Sequence, residues 1–285
     1  MNQFDDSETR GEADVYCIKV YTFLVFLFLY APIFVLIIFS FNDSDTMSRS
    51  VFSGFSLRWY ARLFEDRMIM DALKNTLIIA VVAAAVATVL GTVAAIGLNG
   101  IRNKWVRRMM MNVTNLPMVN PEIVTGVSLM LLFVFVAQSL GGLSLGMLSL
   151  ILAHITFCTP YVVLSVLPKL RQMDPHLYEA AQDLGCDPRR AFFKVVLPEI
   201  MPGIVTGMIM AFTLSIDDFI ISYFTSGTTQ TLPIYIYSMT RKRVSPEINA
   251  LSTLLFVAVL FLLVIVNLRQ ARDKRAQERK EGLEP

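Results

Sequence analysis

Uncharged apolar runs of about twenty residues alternate with short charged stretches along this chain, and a helix crossing ~30 Å of hydrocarbon needs runs of about that length. Six runs qualify, at residues 20–41, 75–98, 109–138, 147–167, 202–224 and 249–268. The pattern predicts an all-α membrane protein of six transmembrane helices. Residues 123–168 contain no Asp, Glu, Lys or Arg. A single helix of that length would extend ~70 Å at 1.5 Å per residue, so the chain must reverse within it. Gly141-Gly142-Leu143-Ser144-Leu145-Gly146 is the expected turn, because glycine takes positive φ without steric cost.

Composition agrees with the pattern. Hydrophobic residues make up 55% of the 285 positions and charged ones only 17%, outside the range of soluble globular domains. A net charge of +2 gives no case for a nucleic-acid partner. Cys17, Cys158 and Cys186 are too few and too scattered for a disulfide framework, and none forms a CxxC pair. His154 and Cys158 share a helix face at i, i+4, but two ligands do not define a metal site, so packing or an interhelical hydrogen bond is expected there. No cofactor and no metal are expected.

The placement of the basic residues sets orientation, since Lys and Arg concentrate in cytoplasmic flanks. One set of flanks holds 17 Lys and Arg and the alternate set 8, so both termini should face the cytoplasm. The acidic start lacks a basic leader region and a small-residue cleavage site, and the first run reads as a retained span. The expected organisation is a cytoplasmic segment at 1–16, a first span at 17–41 and an outer loop at 42–74. A core at 75–268 follows, with a cytoplasmic loop at 169–201, then a basic tail at 269–285.

That cytoplasmic loop carries the most specific signal. Glu179-Ala180-Ala181 is followed four positions on by Gly185, and then by Val195-Val196-Leu197-Pro198. Asp174-Pro175 and Asp187-Pro188 are helix-start signals, and Gly185 sits where a left-handed residue would end the first helix. Leu177, Ala180, Ala181 and Leu184 recur at helical spacing as one narrow face. The expected shape is helix, Gly turn and second helix, the latter ending at Leu197-Pro198 just before the fifth span. This spacing resembles the EAA loop of ABC importer permeases, with Val195 where Ile is usual. The resemblance implies a type I importer permease fold, docking of Glu179, Ala180, Ala181, Gly185, Leu197 and Pro198 on an ATP-binding subunit dimer, and a location in a bacterial inner membrane. No G-x-x-x-x-G-K-[ST] occurs in the chain, so ATP hydrolysis would fall to that separate subunit and this chain would not itself be an enzyme.

Further stretches resemble polyamine permeases, the second and shorter member of the pair: Tyr30-Ala31-Pro32, Ser40-Phe41-Asn42, Trp59-Tyr60, Pro121-Glu122-Ile123, the run 154–158, the run 212–218 and the run 244–251. This implies transport of putrescine or spermidine, a second permease as heterodimer partner, and delivery by a periplasmic polyamine-binding protein. Glu122, Asp217 and Asp218 are the only acids within the expected spans, where a charge costs at least ~2.5–3.5 kcal/mol. Both spans run outward, which places Glu122 and Asp217 about 20 Å above the cytoplasmic edge. Spaced carboxylates suit ammonium groups and apolar walls suit methylenes, so Glu122, Ser215, Asp217 and Asp218 are the expected substrate pathway, the alternative for the acids being helix packing through hydrogen bonds. Trp59, whose ring equally suits the membrane interface, is placed at the pathway entrance by the resemblance. Adjacent residues on a helix diverge by about 100°, so Asp217 and Asp218 cannot both face one pore, and one of them should cap or pair at a helix interface. Pro117 and Pro121 can open the third span locally. A permease for another solute, and a cation- or proton-coupled secondary transporter, are the alternatives; an intramembrane aspartyl protease would need its two Asp on facing helices.

Overall fold

The computed structural model describes residues 5–43, 52, 54–140, 144–174, 176–242 and 246–281. Twelve α-helices follow one another among them: α1 (Asp5–Ser40), α2 (Arg58–Glu65), α3 (Arg67–Gly100), α4 (Lys104–Val119), α5 (Glu122–Leu140), α6 (Met147–Gln172), α7 (His176–Asp183), α8 (Pro188–Ala191), α9 (Leu197–Asp217), α10 (Ile220–Thr225), α11 (Leu232–Lys242) and α12 (Pro246–Glu281). A π-helical turn, Phe192–Val196, joins α8 to α9. Among the described residues, five stretches are long and apolar enough to cross a membrane: Ile18–Ser40, Arg67–Gly100, Glu122–Ser139, Met147–Gln172 and Pro188–Asp217. A shorter apolar stretch, Glu247–Phe261, lies where the sixth span is expected. Residues 141–143 of the expected reversal, Pro175, Arg243 and Val244-Ser245 fall outside the described residues.

The expectation of an all-helical membrane fold holds, but two of the six runs are not single helices. The third breaks between α4 and α5, where Asn120 is extended (φ −77°, ψ 135°), because the ring of Pro121 disfavours helical geometry in the residue before it. The fifth breaks after Asp217, where Asp218 is extended (φ −65°, ψ 119°). Conversely, the second helix of the 169–201 loop does not end at Leu197-Pro198 as expected. It runs on through Pro198 and Pro202 into the fifth span. Proline lacks an N–H and its ring crowds the carbonyl four residues back, which for Pro198 is that of Lys194. The widened turn, in which the Leu197 N–H donates to the Phe192 carbonyl, falls just there and absorbs the mismatch.

The chain divides into two compact units, residues 1–65 with 239–257, and residues 66–238 with 258–285. In the first, residues 18–30 of α1, nearly all apolar, are exposed on every side of the helix, as in a lipid-facing helix. In the second, α3, α6 and α9 pack against one another around Ala84, Ala87, Phe157, Val162, Val166, Ile200 and Ala211. Small residues let these helices approach closely. A Cβ added at Gly91 of α3 would lie 2.6 Å from the Val162 Cβ of α6. One at Gly207 of α9 would lie 3.1 Å from the Val162 Cα. The same unit ties the loop between α10 and α11 down through Asn75 and Thr76. The Asn75 amide donates to the Gln230 carbonyl (3.0 Å), and the Leu232 N–H donates to Thr76 Oγ1 (2.8 Å).

Candidate functional site

Two regions of the second unit carry the loop and pathway residues singled out by the sequence, Trp59 excepted. In the loop at 169–201, Asp174 Oδ1 accepts the His176 N–H (2.9 Å) at the start of α7. The helix ends in a Schellman motif: the Gly185 N–H donates to the Gln182 carbonyl (2.8 Å) and the Cys186 N–H to the Ala181 carbonyl (3.1 Å). Gly185 has φ +85°, and no heavy atom lies within 4 Å of where its Cβ would be. Glycine is therefore required there by backbone conformation and not by space. Asp187 and Pro188 then open α8, with the Ala191 N–H donating to the Asp187 carbonyl (2.9 Å).

Glu179 is exposed, its carboxylate 3.5 Å from His176 Nδ1. Ala180 and Pro198 are exposed and Leu197 is half-buried. Ala181 departs from the expected outer face, being buried. Leu177, Ala180 and Leu184 keep that face, since positions i, i+3 and i+7 align more closely than i+4 does with the exposed side here. Leu184 is 87% exposed and Phe193 63% exposed. Apolar side chains this open beside a charged helix mark a surface that lacks its cover. The sequence listed Leu184 as periodic but gave no sign that Phe193 would turn outward, because the π-helical turn that aims it was not legible.

The second region gathers at the two helix breaks. Glu122 stands exposed in the first turn of α5, and Asp217 stands exposed as the last residue of α9. These breaks belong to neighbouring elements, because α5 packs on α10: a Cβ at Gly126 would lie 3.0 Å from the Phe224 ring and 3.5 Å from the Ile220 carbonyl. Gly126 is about one helical turn from Glu122, and Ile220 is three residues from Asp217. The structure thus brings the two exposed acids to one end of the same packed pair.

Asp218 behaves differently from its neighbour. It is buried, and its carboxylate accepts the N–H of Ile221 (3.3 Å) and of Ser222 (2.8 Å), capping α10. The division expected for the two adjacent acids is present, although they lie at a break and not along one helix. Ser215, also buried, faces His154 of α6 at 2.7 Å. Cys158, one turn along α6, donates to the Ala211 carbonyl at 3.4 Å, so both members of the His154 and Cys158 pair make interhelical hydrogen bonds.

Trp59, in the first unit, does not present an open ring. It is 4% exposed, its indole N–H donates to the Asn42 carbonyl (2.8 Å), and the guanidinium groups of Arg58 and Arg62 lie 4.8 Å and 5.3 Å from its centroid. The aromatic surface beside Asp217 comes instead from residues the sequence did not single out. Phe219 lies 4.5 Å from Tyr237 and 5.5 Å from Tyr223, centroid to centroid, and both tyrosines are exposed. Their meeting depends on α11 returning to α10, and only Phe219 and Tyr223, at i and i+4, share a face by local spacing.

Comparison with known proteins gives one consistent answer. The chain is 44% identical over 238 residues, 83% of its length and 84% of the relative's, to the putrescine transport system permease protein PotI of Escherichia coli K12. It is 39% identical over 251 residues, 88% of its length and 95% of the relative's, to the spermidine/putrescine transport system permease protein PotC of Haemophilus influenzae. Its fold superposes on a chain of a bacterial ABC transporter involved in the import of alginate, with a TM-score of 0.72 at 17% identity, covering 93% of this chain and 98% of that one. Residues 87–275 match the family described as the binding-protein-dependent transport system inner membrane component, and the chain belongs to that family.

Proposed function

We propose that this chain is the second-type permease subunit of an ATP-driven importer for polyamines, putrescine or spermidine, released to it by a periplasmic binding protein. The observation that carries the reading is its identity of 44% and 39%, along more than four-fifths of its length, to permeases named for those two substrates. Both termini lie in the cytoplasm, as the distribution of Lys and Arg favours. A second permease completes the translocation path, and a dimer of ATP-binding subunits docks on the cytoplasmic loop. Glu179, Ala180, Gly185, Leu197 and Pro198 form the docking region with the exposed Leu184 and Phe193, while Ala181 supports α7 from beneath. Closure of the ATP-binding subunits moves this knob, and the continuous run from Pro188 to Asp217 carries the movement to the break above it.

At that break the exposed carboxylates of Glu122 and Asp217 attract the ammonium groups of the substrate. Tyr223, Tyr237 and Phe219 face its methylenes and add cation–π attraction. Asp218 and Ser215 hold the break in shape, and Trp59 anchors the outer segment that carries it. The test is uptake of labelled putrescine by the complete complex in proteoliposomes, with unlabelled putrescine, spermidine, an amino acid and a sugar as competitors. Competition by the two polyamines alone is expected; equal competition by the amino acid or the sugar would overturn the substrate assignment. Uptake driven by an ion gradient without ATP would overturn the importer mechanism.

A further inference from the structure

His154 is 1% exposed, and its ring touches three side chains drawn from both sides of the α9/α10 break. Nδ1 lies 2.7 Å from Ser215 Oγ in the last turn of α9, and Nε2 lies 3.0 Å from Ser222 Oγ in α10. Asp218 Oδ2, at the break itself, is 3.6 Å from Nε2. In a neutral imidazole one nitrogen donates and the other accepts. The carboxylate beside Nε2 favours the proton on that nitrogen, so Nε2–H donates to Ser222 Oγ while the Ser215 hydroxyl donates to Nδ1. A rigid ring anchored on α6 therefore holds the end of one helix and the start of the next at fixed separation.

The linker between α9 and α10 is only Asp218 and Phe219; the N–H groups of Ile221 and Ser222 go to the Asp218 carboxylate and that of Tyr223 to the Phe219 carbonyl (2.8 Å), all within the linker and α10. None of these bonds fixes the direction in which α9 ends. His154 does, because it alone among these groups grips a side chain of α9. We propose that His154 is a positioning residue that sets the angle of the break and, through it, the direction in which Asp217 is presented to the transported cation. This rests on the assignment of Asp217 to the substrate pathway made above. The alternative is that His154 only fills space between α6 and its neighbours, in which case its removal weakens the protein without regard to Asp217.

Epistasis separates the two. Uptake of labelled putrescine is measured over a concentration series in the complete complex, for His154→Leu, Asp217→Asn and the double variant, with the amount of assembled complex quantified in each. His154→Leu is expected to raise KM about tenfold, the effect of losing one well-made buried hydrogen-bonded contact, with little change in maximal rate. Added to Asp217→Asn it should lower uptake no further, because its effect passes through that carboxylate. His154→Gln, whose amide both donates and accepts, should recover part of the loss. Ser222→Ala, which keeps the ring and removes one arm, should shift KM in the same direction by a smaller factor, and it carries the test should His154→Leu fail to assemble. An equal loss from His154→Leu in the wild-type and Asp217→Asn backgrounds would overturn the positioning role and leave the pathway intact. Wild-type KM in Asp217→Asn would instead overturn the pathway assignment, and with it this route from His154 to the substrate.

Discussion

Replacing Gly185 by Ala isolates the turn of the 169–201 loop from every other variable. The site is open, so the added methyl meets nothing, and the whole cost is that of holding an L-residue at φ +85°. That cost is about 1 kcal/mol. It falls on a turn closed by two backbone hydrogen bonds, each contributing a net ~0.5–1.5 kcal/mol, so other loop conformations become comparably populated. A docking site that is correct only about half of the time binds its partner about twofold more weakly, within the roughly fivefold ceiling that 1 kcal/mol sets.

The assay is putrescine uptake against ATP hydrolysis in proteoliposomes holding the complete complex, with the ATP-binding subunit titrated from limiting to saturating. Gly185→Ala should lower uptake about twofold, and no more than about fivefold, at limiting ATP-binding subunit and recover towards wild type at saturation, with the amount of permease in the membrane unchanged. Gly185→Asn should lose less, because Asn enters the left-handed region more readily. Uptake by Gly185→Ala equal to wild type at every ratio would refute the claim that this turn shapes the docking surface. Loss that persists at saturation would refute the claim that the defect is one of population.

Three further outcomes follow from packing and capping. Gly91→Ala places a methyl 2.6 Å from the Val162 Cβ and should destabilise the α3/α6 contact by ~1–3 kcal/mol, read as a lower melting temperature in detergent; Val162→Ala, which removes Cγ1 but keeps the Cβ, should relieve it only in part. Trp59→Phe removes the indole hydrogen bond to the Asn42 carbonyl and should cost about 1 kcal/mol of stability while leaving the KM for putrescine unchanged; a raised KM would return the ring to the pathway. Asp218→Ala removes the cap of α10 and should cost ~1–2 kcal/mol, against a smaller loss for Asp218→Asn, which keeps an acceptor; equal losses would show that capping is not its contribution.

Much of the fold was legible because its causes are local or compositional. Twenty-residue apolar runs mark spans, Asp-Pro pairs mark helix starts, and Gly185 marks a left-handed stop; each needs only its own neighbourhood in sequence. The helix breaks were half legible. Asn120-Pro121 announces one through the proline ring, but at Asp217 and Asp218 no Pro or Gly interrupts the run, and only the aspartate's capacity to cap hints at the second. The continuity of α8 with α9 was hidden for the opposite reason: Pro198 reads as a breaker, and the π-helical turn that accommodates it has no sequence signature of its own. The contacts of His154 with Ser215 and Ser222, 61 and 68 residues away, and the closure of Tyr237 on Phe219, depend on which helices pack, and no spacing rule reaches that far.

The two breaks also explain how acids can be retained in an apolar span at all. An unbroken helix offers a carboxylate no backbone donors, because its N–H groups are committed to carbonyls four residues back. Interrupting the helix at Asp218 frees the first N–H groups of α10, and the Asp218 carboxylate takes two of them, so this acid is held by the very defect it occupies. Asp217, one residue earlier, needs no such bond because it stands exposed, and its direction is inherited from the break. The buried acid stabilises the geometry and the exposed acid is left available. That division predicts opposite responses to the same change: Asp218→Asn should alter stability more than putrescine KM, and Asp217→Asn should alter KM more than stability. Thermal melting and uptake kinetics measured on the same preparations would expose the reverse pattern, in which case the buried carboxylate, and not the exposed one, is the group the substrate meets.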